Sequence, residues 1–269
     1  METESSGQKG LITLENVTKS YNGKTVIDCV SHTFNEGESI AFYGHNGCGK
    51  STMLKLLSGL ISLSSGNIQY DHKLGFSYVP EKFSGNGMKM IDYLQSIAKI
   101  EGVESQVVNG LIKDFFLESM INTRLDKLSK GSLQKVGVIQ ALMAPHDVMI
   151  LDEPLSGQDA DSQIVFISKV NELREKGVTV FMSCHEKRLI DALADKVYTI
   201  SQGKLIEAVS SNDNAYLVYV RKNEALSPWP EMIANKNRYE LKVNESLLRG
   251  TVLSLYEDGW EIVGIEQHD

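Results

Sequence analysis

The segment at residues 39–52, Ser-Ile-Ala-Phe-Tyr-Gly-His-Asn-Gly-Cys-Gly-Lys-Ser-Thr, restricts the chain more than any other. Ile40, Ala41, Phe42 and Tyr43 read as a buried strand, and Met53, Leu54, Leu56 and Leu57 as the apolar face of a helix. Between them stands G-x-x-x-x-G-K-[ST], a phosphate-binding loop. Gly44, Gly47 and Gly49 lack a Cβ, so the backbone can take positive φ and bring successive N–H groups to phosphate oxygens. Lys50 supplies a flexible cation for the β- and γ-phosphates, and Ser51 a hydroxyl ligand for Mg²⁺. The helix opening at Lys50 turns its positive end toward the same charge. His45, Asn46, Cys48 and Thr52 complete a segment whose parts suit a triphosphate. The bare pattern arises by accident in about one chain in a hundred of this length, and the flanking strand and helix lower that further.

With 269 residues, 42% of them hydrophobic and 23% charged, the chain has room for one sizeable core plus a small appendage. The net charge of −8 argues against a nucleic-acid partner, because a phosphate backbone needs a basic surface. Apolar runs break well before a membrane span, and the acidic, polar amino terminus does not read as a signal peptide, which predicts a cytoplasmic polypeptide. Cys29, Cys48 and Cys184 form an odd, unpatterned set that suits neither a disulfide framework nor a zinc site.

Residues 11–18 alternate in part like an edge strand, and the turn Tyr21-Asn22-Gly23-Lys24 leads to a second strand with Val26, Ile27, Val30 and Phe34. The Tyr21 ring can stack on a purine, although a lone turn tyrosine is more often only a surface aromatic. Residues 68–70 and 74–79 read as strands, the latter ending at Pro80-Glu81. Helical spacing then governs residues 85–144, an insertion between two sheet portions. Leu128-Ser129-Lys130-Gly131-Ser132 precedes its last helix, where Ser129 is at the least a cap. Val148, Met149, Ile150 and Leu151 deliver Asp152 and Glu153 at a strand end. Such a pair alone means little. After a phosphate loop, the first carboxylate is the expected Mg²⁺-side ligand and the second is positioned to take a proton from an attacking water. Residues 160–176 read as a helix and 178–183 as a buried strand ending at Cys184-His185. A histidine there can hydrogen-bond a γ-phosphate, whereas an isolated one is more often structural.

Taken together these residues resemble the ATP-binding subunit of an ABC transporter, over about residues 11–209. Seven elements stand in family order: Tyr21, the loop at 44–52, Glu81 at the Q-loop position, the signature Leu-Ser-Lys-Gly-Ser, the Asp152-Glu153 pair, the loop around Asp159, and the switch His185. The resemblance implies an α/β, P-loop NTPase-type core at 11–210, with an antiparallel β subdomain and a helical subdomain at about 85–145. It implies ATP and Mg²⁺ as cofactors. Tyr21, Gly44 through Thr52, Ser129, Gly131 and Asp159 would bind nucleotide, and Ser51, Asp152 and Glu81 would serve the metal. Glu153, His185, Lys50 and Glu81 would form the catalytic set. Lys130 and Ser132 depart from the usual Leu-Ser-Gly-Gly-Gln, which bears on the strength of the contact that Ser129 and Gly131 make to a second copy. Two copies would face each other head to tail with ATP between them and drive a separate membrane permease from the inner face of the membrane.

Residues 211–269 lie beyond the match and read as a small α+β appendage, with strands at 215–221, 239–243 and 260–265 and a helix at 245–256. The extension resembles those on ATPase subunits of drug, peptide and antibiotic exporters, or serves only to cover a hydrophobic edge. A soluble ABC protein of ribosomes or DNA would usually carry two cassettes, and a regulatory module would be expected to lose the carboxylate or the histidine. Cys48, just ahead of a helix amino terminus, is in a setting that favours the thiolate, or merely fills a small slot. Glu81 stands where most of the family has glutamine. Its charge either faces the γ-phosphate, making closure Mg²⁺-dependent, or points only at the partner.

Overall fold

The run that carries the phosphate loop is a central strand of a six-stranded sheet. The computed structural model describes residues 9–144, 146–208, 215–221, 223, 226, 228–229 and 232–268. The elements are β1 (Gly10–Tyr21), β2 (Lys24–Asn35), β3 (Ser39–Tyr43), α1 (Lys50–Leu57), β4 (Ser65–Tyr70), β5 (Phe76–Val79), α2 (Met90–Glu101), α3 (Ser105–Asp114), α4 (Lys130–Met143) and β6 (Val148–Asp152). They continue with α5 (Ala160–Arg174), β7 (Thr179–Ser183), α6 (Lys187–Leu193), β8 (Lys196–Ser201), β9 (Lys204–Ala208), β10 (Ala215–Arg221), β11 (Ile233–Asn235), β12 (Arg238–Asn244), α7 (Glu245–Glu257) and β13 (Ile262–His268).

The large sheet runs β5-β6-β7-β3-β8-β9, parallel except for β9. Its central strands are apolar on both faces, as a covered parallel sheet requires. Ile40, Phe42, Val148, Ile150 and Phe181 face one way, into a core shared with Met53, Leu54, Leu56 and Leu57 of α1. Ala41, Met149, Leu151, Val180 and Met182 face the other way, against the helical insertion, α5 and α6. The strand period of two thus feeds two cores at once. α4 is buried nearly all round, with Val136, Val138, Ile139, Ala141, Leu142 and Met143 inside.

A three-stranded antiparallel sheet, β2-β1-β4, closes over α1 through Ile12, Leu14, Val17, Ile27 and Phe34. β1 is its middle strand, not the edge strand its sequence suggests. Register shifts around Asn16, whose φ is 50°, interrupt the alternation, and an interrupted alternation mimics an edge.

The expected boundary between residues 210 and 211 lies outside the described residues, as does the amino-terminal stretch 1–8. Further on, β11-β12-β10-β13 form an antiparallel sheet packed on α7 through Val218, Val220, Leu241, Val243, Leu247, Leu255 and Trp260. Its last strand starts at Ile262, because Trp260 belongs to the turn that ends α7. The short strand β11 and the elements α6, β8 and β9 carry too little periodicity to have been expected.

Candidate active site

Gly44, Gly47 and Gly49 have φ of 143°, 88° and 117°, a left-handed path closed to most side chains. A Cβ on Gly49 would also lie 3.1 Å from the Val26 side chain. Lys50 is buried, and its ammonium donates to the Gly44 carbonyl at 2.6 Å and the His45 carbonyl at 3.0 Å and lies 3.2 Å from His185 Nε2. The loop thereby keeps its cation folded over itself. A cleft of ≈ 540 Å³ opens beside it, lined by Tyr21, Asn46, Gly47, Gly49, Lys50, Ser51, Thr52, Glu81, Glu153, Ser156 and His185.

The carboxylates arrive from β6. Asp152 stands directly opposite Ser183 of β7, and the two strands lock it in place. Ser51 Oγ and Ser183 Oγ donate to Asp152 Oδ1 at 2.8 and 2.6 Å, and Tyr78 donates to Oδ2 at 3.3 Å. Burial and the neighbouring Asp152 push the Tyr78 phenol well above its ordinary range, so it stays a donor. Glu153 follows with φ 49°, rare for a residue with a Cβ, and its N–H is pinned by Ser183 Oγ at 3.0 Å. Glu153 Oε1 lies 2.9 Å from His185 Nε2, yet off the direction of a hydrogen bond, so this buried oxygen accepts none. His185 Nε2 also meets Asn46 Oδ1 at 3.0 Å. One imidazole edge therefore faces an ammonium and two oxygens, and can serve only one of these partners at a time.

The residues fit a triphosphate with a hard divalent cation. Three left-handed glycines leave room for an anion against the loop N–H groups, Lys50 can exchange its carbonyl partners for phosphate oxygens, and Ser51 and Glu81, with Asp152 behind Ser51, present oxygen atoms to a cation. Among the described residues no group of three or more His, Cys, Asp or Glu could hold a metal ion unaided.

Some expected site residues stand apart from the cleft wall. Asp152 sits behind Ser51 with its oxygens engaged by three hydroxyls, so any ion in the cleft would meet it only through Ser51 or water. The His45 ring turns away toward Trp229, leaving only its backbone at the loop. Cys48 packs inward, where burial pushes its thiol up despite Lys50 nearby, opposite to the thiolate expected from its place before α1. Asp159 caps α5, accepting from the Ser162 N–H at 3.0 Å, and pairs with Lys135 Nζ at 2.6 Å. Ser129 caps α4 through the Ser132 N–H at 3.1 Å, and a Cβ on Gly131 would lie 2.2 Å from the Gly157 carbonyl. Glu81 lines the cleft with a half-exposed side chain, 3.8 Å from Lys82. Its neighbour Pro80 is tied to α4 by Gln134 Nε2 at 2.9 Å. Ser183, Tyr78 and Ser156 went unnoticed in the sequence, where a serine ending an apolar run carries no distinctive signal.

A family model described as ABC transporter matches residues 27–156. An uncharacterized ABC transporter ATP-binding protein of Methanocaldococcus jannaschii is 31% identical over 241 residues, covering 84% of this chain and 90% of its own. The zinc import ATP-binding protein ZnuC 1 of Aliivibrio fischeri is 33% identical over 189 residues, 70% of this chain and 73% of its own. The lipopolysaccharide export system ATP-binding protein LptB of Escherichia coli K12 is 30% identical over 213 residues, 72% and 88% respectively.

Proposed function

Because this chain belongs to the ATP-binding subunits of ABC transporters, which hydrolyse ATP to drive transport through a membrane permease, we propose that the cleft beside Lys50 is where that hydrolysis takes place. The observation behind this reading is the convergence of Lys50, Ser51, Glu153 and His185 on one cleft from three separate stretches of chain. Lys50 leaves its carbonyl partners to neutralise phosphate oxygens, and the loop N–H groups hold them. Mg²⁺, when bound, supplies further neutralisation of the transferring phosphoryl group. Ser51 offers it a hydroxyl oxygen whose proton is engaged by Asp152, and Glu81 reaches the same side. Glu153 Oε1, buried with no hydrogen-bond donor of its own, takes the proton of the attacking water. His185 exchanges Lys50 for the γ-phosphate, and Tyr21 stacks on the base. Ser129, Gly131 and Asp159 act across an interface with a second copy.

We take residues 11–210 as the cassette and 211–269 as an accessory unit. Among the described residues no helix is long and apolar enough to cross a membrane, and we place the chain at the inner face through its permease. Export of a drug, peptide or antibiotic-like cargo is supported by the resemblance of the carboxy-terminal extension to those of such exporters. The relatives' names cover both zinc import and lipopolysaccharide export, so membership alone selects no direction.

ATP hydrolysis by purified protein tests the site. Glu153→Gln is expected to lose about 10²–10⁴-fold in turnover with ATP binding kept, since the amide is isosteric but a poor proton acceptor. Lys50→Ala is expected to lose binding itself. Unimpaired hydrolysis by Glu153→Gln would remove this carboxylate from the mechanism.

A further inference from the structure

The side chain of His45 leaves the phosphate loop for the carboxy-terminal unit. Its ring stacks on Trp229, centroids 5.6 Å and planes 15° apart. Nδ1 meets the Asn46 carbonyl at 2.9 Å and lies 3.3 Å from Asp258 Oδ1, off the direction of a hydrogen bond, and Trp229 Nε1 donates to Asp258 Oδ2 at 2.9 Å. An imidazole, an indole and a carboxylate thus form a closed triangle, with the His45 side chain only 9% exposed. Asp258 is fixed in turn. α7 ends in a Schellman turn, Trp260 N–H to Leu255 carbonyl at 2.9 Å and Gly259 N–H to Tyr256 carbonyl at 3.1 Å, with Gly259 at φ 81°. The preceding Glu257 accepts from Ser201 Oγ at 2.7 Å, at the end of β8 in the large sheet.

The other end of His45 is at the chemistry. Its carbonyl accepts from Lys50 at 3.0 Å, and the next residue, Asn46, meets His185 at 3.0 Å. These peptide units must yield when Lys50 turns to a phosphate. We propose that Trp229 and Asp258 are positioning residues for ATP: they fix His45, and through it the conformation of the phosphate loop, so that nucleotide occupancy and the carboxy-terminal unit are coupled. The inference rests on the cleft being the nucleotide site. Coupling between two sites is reciprocal, so what Asp258 does to ATP affinity, ATP must do to the surroundings of Trp229.

The chain has two tryptophans, and Trp260 is buried in the core under α7. In full-length Trp260→Phe, Mg²⁺-ATP is expected to change Trp229 emission with the same midpoint as ATP binding measured by equilibrium dialysis. Where Trp260→Phe fails to fold, the ATP-induced signal of the wild type is expected to vanish in Trp229→Phe. Asp258→Asn and Trp229→Ala are each expected to raise KM for ATP about five- to tenfold with kcat within about twofold. Trp229→Ala with His45→Ala is expected to be non-additive in KM. Dialysis showing bound ATP while Trp229 emission stays constant, or KM unchanged in Asp258→Asn, overturns the coupling and leaves the site intact. Absence of ATP binding in the wild type overturns the site itself.

Discussion

Cys48 is pulled two ways. The start of α1 and Lys50 favour its thiolate, whereas burial beside α1 favours the thiol, and burial is the larger effect. Cys184 is buried more deeply and pushed further up, while Cys29 is exposed on β2. Alkylation at about pH 8 is therefore expected to run Cys29 first, Cys48 at least about tenfold slower, and Cys184 last. Peptide mass spectrometry over a time course reads the order, and Cys48 keeping pace with Cys29 would restore the thiolate. Ser183 is the residue-scale counterpart on the acidic side. Its hydroxyl serves both Asp152 and the Glu153 N–H. Ser183→Ala leaves a buried carboxylate oxygen one donor short, an expected cost of about 1–3 kcal/mol. Thermal unfolding measures that cost. A Mg²⁺ titration of ATPase activity should show more metal needed for half-maximal rate, because Asp152 then holds Ser51 less well.

At the scale of elements, the start of α5 is tied to α4 by Asp159 and Lys135. The Lys135 hydrogen bond, followed by the Ser162 N–H, holds the Asp159 carboxyl well below the usual carboxylate range. A carboxyl depressed by folding adds stability above its unfolded value, near pH 4, and loses it as pH falls through the lower folded value. Asp159 is largely exposed, so Asp159→Asn is expected to cost only about 1 kcal/mol at neutral pH. It should also flatten the acid limb of a melting-temperature profile, and an unchanged acid limb would show that the pair contributes nothing. Elements of this kind differed in how plainly the sequence announced them. β3, α1, β6 and β7 were legible because each is an apolar run set against a motif. α6, β8 and β9 were not, because they are short and their burial is decided by partners distant in sequence. The same holds for the site. Lys50, Ser51, Glu153 and His185 were legible as motif members, but Ser183 became visible only through its register opposite Asp152, and Trp229 only through the fold that brings it to His45.

For the molecule as a whole, the cleft beside Lys50 lacks part of the set expected to bind nucleotide. Ser129 and Gly131, at the start of α4, are absent from its lining, and Ser129 is exposed, its hydroxyl accepting from the Ser132 N–H and paired with the Ser132 hydroxyl at 2.9 Å. A second copy turned head to tail would lay that helix start, with its positive dipole end, over the phosphates. Nucleotide would then hold the two copies together and hydrolysis would separate them. Glu153→Gln, which keeps ATP, is expected to elute as a monomer without nucleotide and as a dimer with Mg²⁺-ATP in size-exclusion chromatography. Adding Ser129→Arg puts bulk where the partner's phosphates would sit. That double variant is expected to bind ATP as a monomer, and Ser129→Arg alone to lose at least about 10²-fold in turnover. If the ATP-dependent dimer survived Ser129→Arg, the α4 start would not face the nucleotide of the second copy, and the head-to-tail arrangement would fall.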